Sequence, residues 1–253
     1  MKISKNDFLR YSKQIILKNV GMLGQKKISS AKILIVGVGG LGCPLALYLT
    51  NAGVGKIGIA DHDKVALSNL NRQILFNTSD IGKFKVIQAK KFLRKGNNKI
   101  KINIYKEKII KKNIKKILDK YDIICDCSDN FSTRYLLNDF CLSNKKILIS
   151  AAISKFETHI FNFNFIKNVP CYRCFMPEIP DIENKCDSEG ILPSVAGIAG
   201  TIQANEVIKA ILHKKNELIG NMIVFNTLNL KFRKIKLTKN TKCISACITK
   251  WVK

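Results

Sequence analysis

The chain has 253 residues, 46% of them hydrophobic, with a mean hydropathy of +0.02 and a formal net charge of +26, a balance that describes one globular core and excludes a disordered or fibrous chain. No apolar run reaches the length of a secretory signal or a membrane span, so the sequence predicts a cytoplasmic protein without a membrane partner, in which nine cysteines act as metal ligands, reactive thiols or small core residues rather than disulfides. The charge comes from lysines mixed with asparagine on surface-type stretches such as 95–101 and 111–116, with few interleaved aromatics, which predicts nonspecific attraction to polyanions and no specific nucleic-acid partner.

In chain order, strand-like runs at Lys32–Gly37, Lys56–Asp61, Ile100–Tyr105, Tyr121–Asp126 and Ile147–Ala152 alternate with helical stretches at Pro44–Ala52, Lys83–Lys95, Ile109–Asp119 and Thr133–Ser143. This alternation predicts an α/β, Rossmann-like doubly wound fold with a mostly parallel sheet. From Glu157 to Phe165 the rhythm changes to strict alternation of Phe161, Phe163 and Phe165 with Asn162 and Asn164, the pattern of a strand with one buried face. A long loop from Asn168 to about Leu192 leads to a helical pattern over Ser194–His213 and two further strands at Met222–Asn226 and Lys231–Leu237. The expected organisation is one domain: N-terminal helices (1–30), a nucleotide-binding part (31–152), and a part (153–253) whose last strands run antiparallel.

The chemistry starts at Gly37, Gly39, Gly40 and Gly42, between an apolar run and a helix with Pro44 in its first turn. Glycine there lets backbone N–H groups approach an anion at a helix N-terminus, the design of a phosphate-binding turn. Asp61 closes the next strand, where an acidic side chain meets the hydroxyls of a nucleotide ribose; this suits NAD and ATP equally. The following segment separates them. Asn69, Arg72 and Gln73 in Leu67-Ser-Asn-Leu-Asn-Arg-Gln-Ile-Leu, with Lys85 further on, aim two cations at the phosphate site, which suits a triphosphate and is not needed for hydride transfer. Asp129, in Asp126-Cys-Ser-Asp-Asn at a strand's carboxyl end, is placed to hold Mg²⁺ with phosphate oxygens; either Asp129 or Asn130 can cap the next helix. Cys43, Cys125, Cys127 and Cys141 lie in apolar contexts and read as core, and His62, His159 and His213 show no catalytic spacing.

Together, Arg10-Tyr-Ser-Lys-Gln-Ile, the glycine turn, the Leu67–Gln73 segment, Asp126-Cys-Ser-Asp-Asn and Cys171-Tyr-Arg-Cys174 make the chain resemble the ThiF, MoeB and HesA family of adenylating enzymes, relatives of ubiquitin-activating enzymes, from about Asp7 to Cys247. Arg10-Tyr-Ser, the 71–76 segment and the spacing from Cys174 to Cys186 look most like the thiamine-pathway members, with the molybdopterin-pathway members close. The resemblance implies a homodimer that uses MgATP to adenylate the C-terminal glycine of a ubiquitin-like, ThiS-like sulfur carrier. A sulfurtransferase or cysteine desulfurase would supply the sulfur. It implies that Asp61 takes the ribose, Arg72 and Lys85 the phosphates and Asp129 the Mg²⁺. Lys13 stands where the family commonly has an arginine that reaches the phosphates from the partner subunit; lysine keeps the charge without the bidentate fork.

Cys171-Tyr-Arg-Cys174 and Cys243-Ile-Ser-Ala-Cys247 form two thiol pairs suited to a closed tetrahedral Zn²⁺ site that straps the tail to the loop, the alternative being unrelated free thiols. The family usually has a two-residue spacing in both pairs, and the second here has three. Cys186, on the long loop beside Lys185, Asp187 and Glu189, is by position and resemblance a thiol that links covalently to the activated carrier; an unreactive loop cysteine is the alternative.

Overall fold

The computed structural model describes residues 4–167, 169–178, 190–213, 216–240 and 243. Two N-terminal helices, α1 (Lys5–Ile15) and α2 (Gly21–Ser30), precede an alternating run: β1 (Lys32–Val36), α3 (Gly42–Ala52), β2 (Lys56–Ala60), α4 (Lys85–Gly96), β3 (Lys101–Tyr105), α5 (Ile114–Leu118), β4 (Ile123–Asp126), α6 (Phe131–Ser143) and β5 (Ile147–Ser154). Then follow β6 (Glu157–Asn164), the short α7 (Tyr172–Phe175), α8 (Pro193–Ile211), β7 (Asn221–Asn226) and β8 (Lys231–Lys236). All eight strands join one sheet in the order β3-β2-β1-β4-β5-β6-β7-β8, parallel from β3 to β5 and antiparallel from β5 to β8. The doubly wound architecture expected from the sequence is therefore present, with its antiparallel extension.

The near-continuous apolar strands follow from burial on both faces. In β1, Ile33 and Ile35 join the core under α3, α4 and α8, while Leu34 and Val36 face Tyr121, Tyr135 and Phe161 in the second core layer. The N-terminal helices hold the far end of this unit. Ser4 and Asp7 form a capping box on α1. Arg10 Nη1 donates to Gly96 O at 2.9 Å and Gln14 Nε2 to Ala52 O at 2.8 Å, so α1 clamps the C-terminal ends of α3 and α4. At Gly53, φ is +86° and a Cβ would overlap the Tyr11 ring, so only glycine allows this contact.

Two expectations are corrected. The apolar pattern of Ile109–Asp119 gives helix only at Ile114–Leu118, because the Asn113 side chain takes over the preceding backbone: Oδ1 accepts from Ile110 N at 2.9 Å and Nδ2 donates to Lys108 O at 2.9 Å. β6 is buried on both faces near its centre, not one. Phe161 and Phe163 are each 1% exposed, but Asn162 is 2% exposed beneath α8, where its Nδ2 reaches Glu206 Oε2 at 3.5 Å. Alternation reported the apolar face and could not report that a helix covers the polar one.

Candidate active site

β1 pairs with β2 on one side and β4 on the other, so the connections leaving the carboxyl ends of β1 and β4 diverge and open a crevice between them. The glycine turn lies at its mouth. Gly37 has φ +88°, and a Cβ there would stand 2.7 Å from Cys127 O; a Cβ on Gly42 would overlap the Gly37 carbonyl oxygen. These two glycines are demanded by the turn itself. Gly39 and Gly40 face the next segment: Cβ atoms added there would lie 3.7 Å from Gln73 Nε2 and 3.5 Å from Arg72 Cγ and Cδ. The fold thus lays Arg72 and Gln73 over the turn, although they are separated from it by a whole strand.

Local geometry explains their position. The Asn69 side chain accepts from Ala66 N at 3.2 Å and closes a 3₁₀ turn at Leu67–Asn69, and Asn69 O accepts from both Arg72 N and Gln73 N at 3.1 and 3.0 Å. Asn69 therefore positions its neighbours. Arg72 Nη1 donates to Ser68 O and Asn71 Oδ1 at 2.8 and 3.0 Å, which fixes the guanidinium. Gln73 is 4% exposed, and its Oε1 is buried with no hydrogen-bond partner among the described residues. An orphaned buried acceptor costs free energy unless a ligand supplies a donor. Together with a turn whose Gly37 and Gly42 admit no Cβ, it fits a nucleotide bearing hydroxyl or amino groups.

Asp61 has two tasks. Its Oδ2 accepts from Val38 N at 2.8 Å, pinning the glycine turn, and its Oδ1 accepts from Asp63 N at 2.8 Å. Burial raises its pKa above the ordinary aspartate value, opposed by the Asp63 backbone bond and the Lys85 charge. The ribose role read from sequence thus falls on a side chain that also builds the turn. Lys85, the first residue of α4, is 6% exposed, with Nζ 2.9 Å from Asp63 Oδ2. Asp63 holds this lysine toward Asp61, a pairing the sequence does not reveal.

At the end of β4, Asn130 proves to be the α6 cap, its Oδ1 accepting from Thr133 N at 2.9 Å. Asp129 is left exposed on the crevice, touched by Asn130 Nδ2 at 3.2 Å, with a carboxylate able to hold a divalent cation. Beneath it lies a network that sequence reading missed. Asp126, fully buried, accepts from Ser128 N and Oγ at 3.0 and 2.6 Å, from Ser150 Oγ at 2.6 Å and from Arg134 Nε at 3.2 Å. Arg134, 6% exposed, also donates to Ser128 O and Ala151 O at 3.0 and 3.3 Å. This satisfied pair fixes the loop bearing Asp129. An acidic residue inside an apolar strand with an arginine eight positions on was the available signal.

Lys13 does not join the site of its own chain. It is exposed on α1, at the C-terminal ends of α3 and α4, about 16 Å along α3 from the glycine turn at 1.5 Å per residue. His62 is exposed beside Asp63, and His159 stands 3.6 Å from Glu157, neither reaching the glycine turn through a described hydrogen bond.

Cys171, Cys174 and Cys243 form a group of their own, apart from the crevice. Cys171 Sγ is 3.8 Å from Cys174 Sγ and 3.7 Å from Cys243 Sγ. A tetrahedron with metal–sulfur bonds of about 2.3 Å has sulfur separations of about 3.8 Å, so these three thiols fit a metal and are far beyond disulfide length. Cys247 and Cys186 lie outside the described residues. The pair-bearing segment is tied to α6: Tyr172 N donates to Asn138 Oδ1 at 2.8 Å, and Arg173 bonds both Asp139 oxygens at 2.8 Å. The other cysteines are core, as the sequence implied. Burial pushes the Cys43 thiol up to about 12 and also raises Cys125, Cys127 and Cys141.

Glycine turn, buried acidic strand end and convergent cations define a Rossmann-like α/β protein with a nucleotide-type crevice. The ThiF family profile matches residues 11–245, and the chain belongs to that family. It is 42% identical over 247 residues to a protein named adenylyltransferase and sulfurtransferase MOCS3 from Culex quinquefasciatus, covering 96% of this chain and 56% of that protein. The proteins of that name from Dictyostelium discoideum and Xenopus laevis are 37% and 39% identical, over 97% of this chain and 58% and 54% of theirs. The chain therefore spans just over half the length of these curated relatives. Among solved structures, Escherichia coli MccB with MccA-N7isoASN superposes with a TM-score of 0.83 at 23% identity, covering 93% of this chain and 73% of that one. PaaA superposes at 0.81 and 22% identity, over 95% of this chain and 76% of that one; both likenesses show the fold. No helix among the described residues is long and apolar enough to cross a membrane.

Proposed function

We propose that the crevice adenylates the C-terminal glycine of a ubiquitin-like sulfur carrier, using MgATP and releasing pyrophosphate. The observation that carries this reading is the convergence of Arg72, Gln73 and Lys85 on the glycine turn, with Asp129 exposed opposite. A carboxylate is a poor electrophile. Activation requires its oxygen to attack the α-phosphorus while charge builds on the departing pyrophosphate, and fixed cations stabilise that charge. Arg72 and Lys85 are held by their own hydrogen bonds before any ligand arrives. Asp129 would hold the Mg²⁺, which would neutralise phosphate charge. Gln73 would orient the nucleotide, and Asp61 would meet the ribose while keeping the turn closed. Lys13, remote within its own chain, fits a homodimer in which it serves the partner's crevice.

Carrier choice follows the relatives. The sequence alone favoured a thiamine-type carrier, but the proteins 37–42% identical over nearly the whole chain share the MOCS3 name, and we adopt the alternative, a molybdopterin-type carrier. The sulfurtransferase in the name of these relatives supports a sulfur donor as a further partner. Cys186 remains the thiol proposed to link to the activated carrier, and Cys171, Cys174 and Cys243 with Cys247 are proposed to bind a structural Zn²⁺. The test is nucleotide selectivity. Saturating MgATP at about a hundredfold over its Kd should stabilise the protein by about 2.7 kcal/mol. NAD should leave the melting temperature unchanged, and protection by NAD instead would overturn the reading.

A further inference from the structure

One side chain joins the thiol group to the floor of the crevice. Tyr172 opens α7, with Cys171 as its cap and Cys174 within it, so two of the three gathered thiols flank it. Its backbone is tied to α6, Tyr172 N donating to Asn138 Oδ1 at 2.8 Å. Its ring is 2% exposed and meets Tyr135 and Phe161 edge-on, at centroid distances of 5.3 and 5.6 Å, contacts that hold it in one orientation. That orientation carries it to Arg134. The guanidinium carbon lies 5.7 Å from the Tyr172 ring centroid and 5.9 Å from that of Phe131, within the range of a cation–π contact, and the guanidinium donates a side-chain hydrogen bond to the Tyr172 hydroxyl.

Charge balance does not call for this tyrosine, because Asp126 already neutralises Arg134 and its oxygens are further satisfied by Ser128 and Ser150. Position does. Arg134 Nη2 holds Ser128 O at 3.0 Å while Asp126 Oδ1 holds Ser128 N and Oγ at 3.0 and 2.6 Å, so the backbone of Ser128 is gripped from both sides by the ion pair. Asp129 is the next residue and stands exposed on the crevice. The affinity of a metal ligand depends on the groups that orient it, and here those groups end, two contacts away, at a tyrosine from a different segment of the chain.

We propose that Tyr172 is a positioning residue for the Mg²⁺–nucleotide site: anchored beside the thiols and on α6, it holds Arg134, and Arg134 with Asp126 holds the Ser128 backbone that presents Asp129, given the reading of Asp129 above as the Mg²⁺ holder. The test is a binding measurement. Mg²⁺ is titrated into protein with ATP at a fixed concentration, and bound ATP is followed by equilibrium dialysis. Tyr172→Phe keeps the ring contacts and removes the hydroxyl; it should raise the Mg²⁺ concentration for half-maximal ATP binding about fivefold, short of the roughly tenfold or more lost when a ligand's direct outer partner is removed. At saturating Mg²⁺ its ATP binding should match that of the parent. The control is Tyr121→Phe, which removes a fully buried hydroxyl, bonded to that of Tyr105 at 3.0 Å, at the other end of β4. It should leave the Mg²⁺ midpoint within about twofold of the parent, since distant sites act independently, even where it lowers the melting temperature as much. Equal shifts in both variants would assign the effect to general loosening and overturn the proposal. A shift in Asp129→Asn with none in Tyr172→Phe would overturn the proposal alone, whereas an Asp129→Asn variant with the parent's Mg²⁺ dependence would overturn the Mg²⁺ reading of the crevice and the role of Tyr172 with it.

Discussion

The two halves of the sheet are held to their tasks by different means. In the parallel half, β3 to β5, the site is shaped mainly by backbone proximity: Gly37 and Gly42 stand where a Cβ cannot, and Asp61 pins the turn through a backbone N–H. In the antiparallel half, β5 to β8, side chains do the joining. Phe161, Phe163 and Phe165 stack along β6, Arg173 grips Asp139, and three thiols gather Cys171, Cys174 and Cys243. The contrast teaches that chemistry was placed where the backbone leaves least freedom, while the other half holds its segments through contacts that each tolerate change.

The sharpest test of that contrast compares two ion pairs. Asp126→Ala leaves Arg134 buried without its carboxylate and should cost about 3–5 kcal/mol in denaturant unfolding. Asp139→Ala, at a pair about one-fifth exposed, should cost about 1 kcal/mol. Equal costs would erase the distinction. Next in size are the crevice charges. Arg72→Ala and Asp129→Asn should each slow ATP–pyrophosphate exchange about a hundredfold with little change in melting temperature, since neither side chain is buried; unchanged exchange would remove them from the phosphate site.

The thiol cluster gives the third comparison. Purified protein should carry about one zinc per chain, and chelation or Cys174→Ser should lower the melting temperature while leaving the nucleotide protection by MgATP in place. Substoichiometric zinc together with indifference to chelators would leave the three thiols as close neighbours only. The smallest effect lies at α1. The Lys99 ammonium and the Ser4 hydroxyl hold Asp7 below the usual carboxylate range. Its contribution is therefore present at neutral pH and lost as pH falls through the lowered pKa. Asp7→Asn should cost about 1 kcal/mol at pH 7, and the difference should close in acid; a gap that persists there would assign the effect to something other than charge.

Legibility followed the same division. The five parallel strands, the glycine turn and the gathering of Asp61, Arg72 and Gln73 around it could be read because close backbone approach and convergent charge leave local marks. Spacing did not show that Asn69 places its neighbours, or that Asp63 holds Lys85, since those roles depend on hydrogen bonds between segments. Asp126 with Arg134 was hidden for the same reason: the pair is eight residues apart and becomes meaningful only once β4 is buried. The short α5 was overcalled because its apolar spacing is helical while Asn113 bonds the backbone ahead of it. The second buried face of β6 depends on α8, more than thirty residues away. Carrier preference is not carried by short motifs: these favour a thiamine-type carrier, while relatives similar over nearly the whole chain share the MOCS3 name.

The most direct measurement of the central claim is carrier-dependent ATP–pyrophosphate exchange, with molybdopterin-type and thiamine-type carriers offered separately, each ending in Gly-Gly. The account predicts exchange with the molybdopterin-type carrier and little with the other. Exchange with the thiamine-type carrier alone would contradict the assigned partner, and exchange with neither, from protein that MgATP still protects against heat, would contradict adenylation itself.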